Sequence, residues 1–351
     1  MVDIMQATLT IDLSAIIANW RALNALSGPQ VETAAVIKAD AYGLGASAVG
    51  PALAAAGVKR FFVAQAEEAV TLRAALGPTP EIYNFSGFMA GDDEAITKHG
   101  MIPVLNSAAQ VKAFAKAHAG HPCAIQLDTG MNRLGLEALE AASITQEIAA
   151  LQPDLIMSHL ACADEPLHPM NAAQLAAFNA MAFALPARQK SLSATGGILL
   201  GAPYHFNLTR PGIGLYGGLP FKNARPVVKL TLPVVQVRDV LPGEAVGYGA
   251  AWRATRPSKI ATVSSGYADG ILRATKGFSL YAGPTPCPVV GRVSMDLLTV
   301  DITDLTEVPP TLSLLNTTQT VDVLAQKAGT IGYEILTSLG SRYRKVYKSE
   351  N

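Results

Sequence analysis

Ala35-Val-Ile-Lys-Ala-Asp-Ala-Tyr-Gly-Leu-Gly45 is an apolar, β-prone run that leads through Lys38 into a glycine-rich turn. The run predicts a buried strand, an amine at the end of that strand, and a turn into the next element. An enzyme that holds a carbonyl cofactor as a Schiff base needs a lysine in such a place. Most lysines are merely solvated, so the meaning of Lys38 depends on the residues that the fold places beside it.

The same strand-then-helix pattern repeats from about Val31 to Tyr216 and is typical of parallel βα units. The predicted strands are Thr33–Ile37, Arg60–Ala64, Glu81–Phe85, Ile102–Leu105, Ala124–Leu127, Leu155–Ser158, Ser191–Ser193 and Phe206–Thr209. The predicted helices include Ala46–Ala56, Ala66–Leu76, Ser107–His118, Leu136–Leu151 and Asn171–Ala184. Eight units within about 200 residues favour an α/β fold of the (β/α)8, TIM-like barrel type.

A second domain is predicted after Arg225-Pro226, where strands rich in Val, Thr and Leu follow one another directly with turn residues between them. We expect the barrel over residues 12–225 and a C-terminal, mostly β domain over residues 226–351. The opening residues 1–11 contain a strand that precedes the barrel, and we expect it to pair with the second domain. The last predicted element of that domain is a helix over Val323–Leu339.

Composition points to a small-molecule substrate. The 351 residues include 27 basic and 27 acidic ones, which gives no electrostatic reason to expect nucleic acid or an anionic membrane as a partner. Apolar runs fall short of the roughly 20 residues that cross a bilayer, and the first six residues lack the features of a signal peptide. The three cysteines, which have no metal-ligand spacing, are interpreted as reduced core thiols. A cytoplasmic protein without a metal site is expected.

Reactive residues fall at the carboxyl ends of the predicted strands. Lys38 follows strand one, Arg133 lies in the loop after strand five, and His159, Ser193 and Arg210 end strands six, seven and eight. Barrel enzymes carry out their chemistry on this face. Each residue alone has an ordinary structural explanation, whereas five together predict a site.

A glycine-rich turn, Arg210-Pro-Gly-Ile-Gly-Leu-Tyr-Gly217, adds a predicted anion site. Gly212 and Gly214 let main-chain N–H groups approach an anion closely, as a phosphate nest requires. With Ser193 after strand seven, the turn matches the usual phosphate site of barrels. A lysine for an aldehyde together with a phosphate cradle points to pyridoxal 5′-phosphate.

The chain resembles the alanine racemases, which are barrel-type enzymes dependent on pyridoxal phosphate. The segments that carry the resemblance run in family order along nearly the whole chain. They are Ala35-Val-Ile-Lys-Ala-Asp-Ala-Tyr-Gly-Leu-Gly45, Asp128-Thr-Gly-Met-Asn-Arg-Leu-Gly135, Ser158-His-Leu-Ala-Cys-Ala-Asp164, Arg210-Pro-Gly-Ile-Gly-Leu-Tyr-Gly217, Gly266-Tyr-Ala-Asp-Gly270 and Gly291-Arg-Val-Ser-Met-Asp296.

The resemblance implies two catalytic bases, Lys38 and Tyr267. Lys38 holds the cofactor as an aldimine and then serves one face of the substrate Cα, while Tyr267 serves the other. Inversion of a stereocentre by proton transfer needs a donor and an acceptor on opposite faces, which supports the pairing. A phenol with a pKa of about 10 is a poor base at neutral pH, so Tyr267 is expected to need cationic neighbours. His159 and Arg210 are the neighbours expected to supply that environment.

The resemblance also implies the binding residues. Arg210 bonds to the pyridine nitrogen of the cofactor, and since an arginine cannot give up a proton, that nitrogen stays neutral. Arg133 contacts the phenolic oxygen and the substrate carboxylate, which Met295 also binds through its N–H. Asp164 and Arg292 line the substrate entrance. The phosphate is held by Tyr42, Ser193, Gly212 and Ile213.

Four positions depart from the family pattern. Gln126 replaces a lysine that is carbamylated in some members, so that charge is absent here. Ser294 replaces a common cysteine, and Leu192 replaces an asparagine near the phosphate. A C-terminal tyrosine that often joins the site corresponds to Ser341, with Tyr343 close by, and its role is not carried over.

The resemblance finally implies a head-to-tail homodimer, in which Tyr267 and Met295 of one chain complete the site of the other. The expected reaction interconverts L-alanine and D-alanine, either to supply peptidoglycan precursors or to degrade alanine. The alternatives on the same scaffold are a broad amino-acid or serine racemase and a decarboxylase. A decarboxylase of this class usually brings a cysteine and an aspartate from its second domain, and we do not find that pattern. A non-catalytic pyridoxal phosphate carrier remains a further alternative, although it would not need the segment around Tyr267.

Overall fold

A computed structural model of the chain describes residues 6–349. Part of the predicted opening segment, residues 1–5, and the last two residues lie outside the described residues. Two compact units are distinguished by their contacts. We call Ile16–Arg225 the α/β unit, and we call Met1–Ala15 together with Pro226–Asn351 the β unit, of which residues 6–15 and 226–349 are described.

The elements of residues 6–349 are given in chain order. The strands are β1 (Thr8–Asp12), β2 (Glu32–Thr33), β3 (Ala35–Val36), β4 (Arg60–Val63), β5 (Glu81–Asn84), β6 (Met101–Leu105), β7 (Ala124–Gln126), β8 (Leu155–Met157), β9 (Gln189–Ser191), β10 (Leu208–Thr209), β11 (Val228–Val240), β12 (Ala245–Val246), β13 (Trp252–Arg253), β14 (Ser258–Ser264), β15 (Ser279–Ala282), β16 (Thr285–Val290), β17 (Leu297–Asp301), β18 (Thr311–Leu315) and β19 (Arg344–Lys348). The helices are α1 (Leu13–Ser27), α2 (Lys38–Tyr42), α3 (Ala46–Ala55), α4 (Ala66–Leu76), α5 (Asp93–Thr97), α6 (Ala108–Ala117), α7 (Ala138–Ser143), α8 (Thr145–Leu151), α9 (Pro169–Phe183), α10 (Thr195–Leu199), α11 (Val321–Ala328) and α12 (Gly332–Ser338).

A curled parallel sheet forms the centre of the α/β unit. Within the described chain it holds seven strands, β3 to β9, which pair in sequence order. Helices connect most of these strands, as parallel pairing requires. Side chains of β4, β5 and β6 such as Phe61, Ile82 and Val104 are fully buried, which explains why these strands read as continuous apolar runs.

Strand β10 lies between the two edges of this sheet. It pairs with β2 in a short parallel ladder, Leu208 opposite Glu32. The chain on either side of β10 bonds to both edges: the Asn207 N–H donates to the Lys190 carbonyl (3.0 Å), and the Val36 N–H donates to the Pro211 carbonyl (2.9 Å).

An ionic network joins the amino ends of the strands in the α/β unit. Arg60, the first residue of β4, has a side chain that is only 12% exposed. Its guanidinium lies 3.1, 2.5 and 3.4 Å from the carboxylates of Glu32, Glu81 and Asp154, respectively. The Tyr83 hydroxyl lies between two of these carboxylates, 2.9 Å from Glu81 and 2.7 Å from Asp154, and its single proton is available to either. One buried cation therefore neutralises carboxylates from three different strand starts.

The β unit is built on one long strand, β11. Its first half pairs with β1 and β18, and its second half pairs with β14. In the described part of the unit, β14, β17, β16, β15 and β18 follow one another around to β11, so the ladder closes on itself. The opening strand β1 also pairs in parallel with β19, near the C-terminus. The first and last described segments of the chain are thus neighbours in one sheet.

The helices differ from the predictions at several points, including the short α2, α5 and α10, which were not predicted. Leu136–Leu151 is two helices, α7 and α8, because the Thr145 hydroxyl donates to the carbonyls of Ala141 (3.2 Å) and Ala142 (3.0 Å) and competes with the helical pattern. The segment predicted as the final helix is also split, by a left-handed glycine cap after α11. Helix α1 was not predicted at all, although an Asp12 carboxylate oxygen accepts from the Ala15 N–H (2.8 Å) at its start.

Two other predictions concern membranes and cysteines. No helix in residues 6–349 combines the length and the apolar character that crossing a membrane requires. Cys123 and Cys287 are buried free thiols, as the sequence suggested, but Cys162 is only half-buried, with its sulfur 3.8 Å from the sulfur of Met170. The prediction of three core thiols is therefore wrong for Cys162.

Arg60→Met should lower the free energy of unfolding by about 3 kcal/mol, because removing one partner of a largely buried ion pair leaves charges uncompensated. Lys98→Met is the matched control. Lys98 pairs with Glu94 at 2.9 Å, but the two side chains are 70% and 65% exposed, so we expect little or no loss of unfolding free energy. Urea unfolding followed by circular dichroism compares the two variants, and equal losses would contradict the role given to Arg60.

Candidate functional site

Lys38 lies two residues after the buried strand β3 and is half-buried itself. Its Nζ lies 6.0 Å from the centre of the Phe85 ring. Burial lowers the pKa of the Lys38 amine, and the positive charge of Arg133 lowers it further, while the carboxylate of Glu68 acts in the opposite direction. A lowered pKa increases the neutral fraction of the amine, which is the form that attacks an aldehyde or accepts a proton.

The turn after Lys38 has an uncommon backbone. Ala39, Asp40, Ala41 and Tyr42 have φ values of 52°, 53°, 55° and 56°, so four consecutive residues other than glycine are left-handed. Such residues cost about 1–2 kcal/mol each and persist only where surrounding contacts impose them. The Ala46 N–H donates to Asp40 Oδ1 (2.7 Å) and contributes one such contact.

Glu68 of α4 supplies the other contacts. Its Oε1 accepts from the Ala39 N–H (2.5 Å), and its Oε2 accepts from the Ala64 N–H (2.7 Å). One carboxylate therefore ties the backbone after β3, next to Lys38, to the backbone after β4. The sequence analysis did not single out Glu68. Its position three residues after Gln65, at the start of a helix, was the available signal.

The left-handed turn brings the Tyr42 phenol against the predicted phosphate nest. A Cβ atom at Gly212 would overlap the Tyr42 hydroxyl, so only glycine permits this approach. The Tyr42 ring packs against Tyr216, with ring centres 4.6 Å apart. The Tyr216 hydroxyl donates to the Val36 carbonyl (2.9 Å), which fixes this pair of rings to β3.

Thr195 occupies the nest formed by the glycine-rich turn. Its Oγ1 accepts from the N–H groups of Gly212 and Gly214, both at 3.2 Å. The Gly212 N–H, which is predicted to hold phosphate, thus donates to the Thr195 hydroxyl in this structure. Ile213, the other residue predicted to hold phosphate, is the first residue of the short 3-10 turn that follows. Thr195 was missed by the sequence analysis, although a threonine two residues after Ser193, at a predicted strand end, was a usable signal.

Ser193 is fully buried beside this nest. Its Oγ donates to the Tyr204 carbonyl (2.7 Å), and its own carbonyl accepts from the Arg210 N–H (2.8 Å). Leu192, which replaces the asparagine of the family pattern, is buried in the core. The polar contact that an asparagine could make there is therefore replaced by apolar packing.

Arg210 is 2% exposed and, within residues 6–349, forms no ion pair with a carboxylate. Its Nε donates to Ser191 Oγ (2.8 Å), and its Nη2 donates to the Ser158 carbonyl (2.5 Å). Its guanidinium carbon lies 5.9 Å from the centre of the Phe62 ring. Burial lowers the pKa of Arg210 to about 9, so the side chain stays charged at neutral pH. Oxygen dipoles, rather than a carboxylate, compensate this buried charge.

His159 follows β8 and is neutral at neutral pH. Burial, together with the positive charges of Arg210, Arg133 and Lys38, lowers its pKa to about 3. The low pKa argues against the prediction that His159 is part of a cationic environment, because the neighbouring cations oppose its protonation. Gln174 of α9 holds the backbone around it, donating to the His159 carbonyl (2.9 Å).

Arg133 is exposed in the loop after β7. The loop is shaped by Asp128, whose Oδ1 accepts from the N–H groups of Gly130, Met131 and Asn132 at 2.8, 3.0 and 3.2 Å. This carboxylate presets the backbone that carries Arg133.

Gln126, the last residue of β7, is 8% exposed. A Cβ atom at Gly135 would come 3.0 Å from the Gln126 side chain. Gln126 therefore packs against the far end of the loop that carries Arg133.

Charge effects group these residues at one end of the parallel sheet. Arg133 lowers the pKa of Lys38, and Arg210, Arg133 and Lys38 all lower that of His159. Asp164, predicted at the substrate entrance, is exposed in the loop after His159. Among the described residues, no hydrogen bond or ion pair ties the Asp164 side chain to the other four residues.

The β unit holds the remaining predicted residues. The Tyr267 N–H donates to the Ser294 carbonyl (3.0 Å), and the Ala268 N–H donates to the Met295 carbonyl (2.9 Å). The side chains of Tyr267 and Met295 are 42% and 54% exposed. The structure thus brings these two residues together. Arg292 is exposed, and its guanidinium packs over Gly249, where an added Cβ atom would come within 3.2 Å of it.

The residues of the α/β unit fit pyridoxal phosphate. Lys38 offers an amine with a lowered pKa, and Arg210 is a buried cation bonded to oxygen dipoles. The cradle of Tyr42 and Gly212 would be filled by a Cβ atom. These groups match an aldehyde, a pyridine nitrogen and a phosphate, respectively. In the described part of the chain, no cluster of three or more His, Cys, Asp or Glu residues could hold a metal ion.

Comparison with known proteins gives full-length relatives. The family description "Alanine racemase, N-terminal domain" matches residues 11–220, and "Alanine racemase, C-terminal domain" matches residues 227–347. Alanine racemase of Dinoroseobacter shibae is 59% identical over 97% of this chain and 98% of the relative. Alanine racemase of a Cereibacter sphaeroides strain is 58% identical, again over 97% and 98% of the two chains.

A solved structure shares the same fold. The crystal structure of alanine racemase from Bartonella henselae, with covalently bound pyridoxal phosphate, superposes with a TM-score of 0.92 at 39% identity and covers 98% of this chain and 99% of its own. The family matches span both units and nearly the whole length of the chain. The chain belongs to the alanine racemase family.

Proposed function

We propose that this protein is an alanine racemase that interconverts L-alanine and D-alanine with pyridoxal 5′-phosphate as cofactor. The full-length relatives named above support the activity. The observation that carries the proposal is Lys38, a half-buried amine with a lowered pKa, at the same sheet end as the buried cation Arg210. When bound, the cofactor withdraws electrons from the substrate Cα and thereby makes its proton removable.

The α/β unit binds and orients the cofactor in this proposal. Lys38 bonds to its aldehyde carbon. Arg210 would hold the pyridine nitrogen and favour its unprotonated form, because a charged guanidinium only donates hydrogen bonds and therefore needs an acceptor opposite it. Tyr42 and Ser193 hold the phosphate with the nest of Gly212 and Ile213. The Thr195 hydroxyl accepts hydrogen bonds from the N–H groups of the nest. When the phosphate binds, it would replace this hydroxyl as their acceptor.

Two side chains move the proton. Lys38 removes or returns the Cα proton on one face, and Tyr267 does so on the other. Arg133 binds the substrate carboxylate together with the Met295 N–H, because a planar guanidinium suits a carboxylate. His159 lies among the cofactor-binding residues in this proposal and, with its low pKa, adds no positive charge to them. Asp164 and Arg292 line the path by which alanine enters.

The assembly is part of the proposal. Residues 12–225 form the cofactor domain, in which the bonds of β10 to both sheet edges close an eight-stranded barrel. Residues 226–351, with the opening strand, supply the second base. Two chains pair as a homodimer so that Tyr267 and Met295 of one chain complete the site of the other. A cytoplasmic location and a role in D-alanine supply for peptidoglycan remain predictions, which cell fractionation and D-alanine dependence of a deletion strain would test.

Incubation of the purified protein with each L-amino acid in deuterated water tests the activity. We expect alanine to racemise with incorporation of deuterium at Cα, and both enantiomers are followed by chiral chromatography and mass spectrometry. Faster racemisation of serine or other amino acids would favour the broad-specificity alternative. Absence of exchange with every amino acid would instead favour the carrier.

The pH dependence of cofactor loading tests the environment of Lys38. Loading requires the neutral amine, so its rate rises as pH passes upward through the pKa of Lys38. Arg133→Gln removes a charge that lowers this pKa and should shift the rise to higher pH, whereas Glu68→Gln should shift it to lower pH. The visible absorbance of the loaded protein measures the rate. Glu94→Gln, which removes a carboxylate paired with Lys98, is the control, and shifts of the opposite sign would refute the assignment.

Complementation tests the shared site. In a symmetric dimer, a Lys38→Ala chain and a Tyr267→Phe chain form a heterodimer with one intact site of its two, so random exchange should restore about a quarter of the sites. Racemase activity before and after subunit exchange measures the recovery. Each variant mixed with itself is the control. A confirmed heterodimer without activity would place both bases of each site in one chain.

A further inference from the structure

Arg342 joins the two loops of the β unit that carry Tyr267 and Met295. Its Nε and Nη2 donate to the carboxylate of Asp269 (2.6 and 2.9 Å), and its Nη1 donates to Asp296 (2.7 Å). Asp269 lies two residues after Tyr267, and Asp296 directly follows Met295. A single guanidinium therefore makes three charge-assisted bonds to the two loops.

Asp269 transmits this contact to the backbone before Tyr267. It is only 5% exposed, and its Oδ2 also accepts from the Gly266 N–H (2.9 Å). A Cβ atom at Gly266 would overlap the carbonyls of Ser294 and Met295, so the two loops touch at this glycine.

The residues next to Arg342 form hydrogen bonds to the Tyr267 loop at two further points. The Gly340 N–H donates to the Asp269 carbonyl (3.0 Å). The Tyr343 hydroxyl shares a hydrogen bond with Ser265 Oγ (2.8 Å), and burial raises the pKa of Tyr343, so it stays a neutral phenol. Residues 340–343 thus hold the segment 265–269 from both sides of Tyr267.

We propose that Arg342 is a positioning residue for proton transfer by Tyr267, acting through Asp269 and Asp296. This inference rests on the proposed function, since it presumes that Tyr267 is the base on one face of Cα. Within its own chain the Tyr267 residue is 42% exposed, so the packing of that chain leaves the direction of the ring to the loop backbone. A base displaced by about 1 Å can lose as much as 100-fold in rate.

Arg342→Ala, with Arg342→Lys as the conservative variant, is the test. We expect racemisation to fall by about 10- to 100-fold in the alanine variant. We expect a smaller loss in the lysine variant, because an ammonium keeps the positive charge although it cannot make the two parallel bonds to Asp269.

Arg256→Ala is the matched control. Arg256 also makes a two-pronged pair, with Asp304 at 2.8 and 2.7 Å, and its side chain is 52% exposed, the same as that of Arg342. It belongs to the same unit and to neither loop. We expect its racemisation rate to stay within about twofold, since exposed ion pairs contribute little.

Solvent exchange at Cα separates positioning from general damage. For the enantiomer whose proton Lys38 removes, deuterium exchange with retention should continue at nearly the parent rate in Arg342→Ala, while inversion falls. The ratio of exchange to inversion should then rise for this enantiomer by the same factor as racemisation declines. For the other enantiomer, exchange and inversion should fall together.

The outcomes decide between the inferences. Equal loss of exchange for both enantiomers, or rates matching those of Arg256→Ala, would overturn the role of Arg342. Tyr267→Phe in the same assay tests the proposed base independently: if it shows the one-sided pattern and Arg342→Ala does not, only the positioning role fails. Should Arg342→Ala prove unstable in urea unfolding, Asp296→Asn is used instead, because it weakens the bond between Arg342 and the Met295 loop. The same ratio of exchange to inversion is measured for that variant.

Discussion

The buried charge of Arg210 is the constraint on which the α/β unit depends. A guanidinium without a carboxylate partner must be compensated by oxygen dipoles, and those come from the ends of β8 and β9. The hydrogen bonds of the Arg210 side chain therefore fix the position of the end of β8 relative to the end of β9. The same charge suppresses protonation of His159. Structure and electrostatics at this end of the sheet have a common origin, whereas Arg60 and its carboxylates organise the opposite end.

Periodicity and strand ends made the main features predictable. The predicted segment Ala66–Leu76 coincides with a helix of the structure, and Lys38 follows a buried strand. The split of Leu136–Leu151 was not predictable from apolar spacing, because it arises from a single hydroxyl competing for backbone carbonyls. Alternation of apolar and polar residues reports which face is buried, but it carries no information about such local competition.

The supporting residues of the candidate site were less accessible from sequence. Glu68 and Thr195 act on backbone groups that are distant along the chain, and only the three-dimensional fold reveals those contacts. The left-handed run from Ala39 to Tyr42 is also invisible in a sequence of ordinary residues. The protonation state of His159 depends on three cations from different loops, and residue identity alone does not reveal their effect.

The contact between Tyr42 and Gly212 has a consequence for how the sequence can vary. Because any side chain at position 212 would collide with the phenol, the two positions are not free to change independently. A larger residue at 212 is tolerable only after position 42 has lost its ring, and that loss would also remove the packing on Tyr216. Evolutionary drift at this point of the fold is therefore epistatic, and the viable order of substitutions runs through position 42 first.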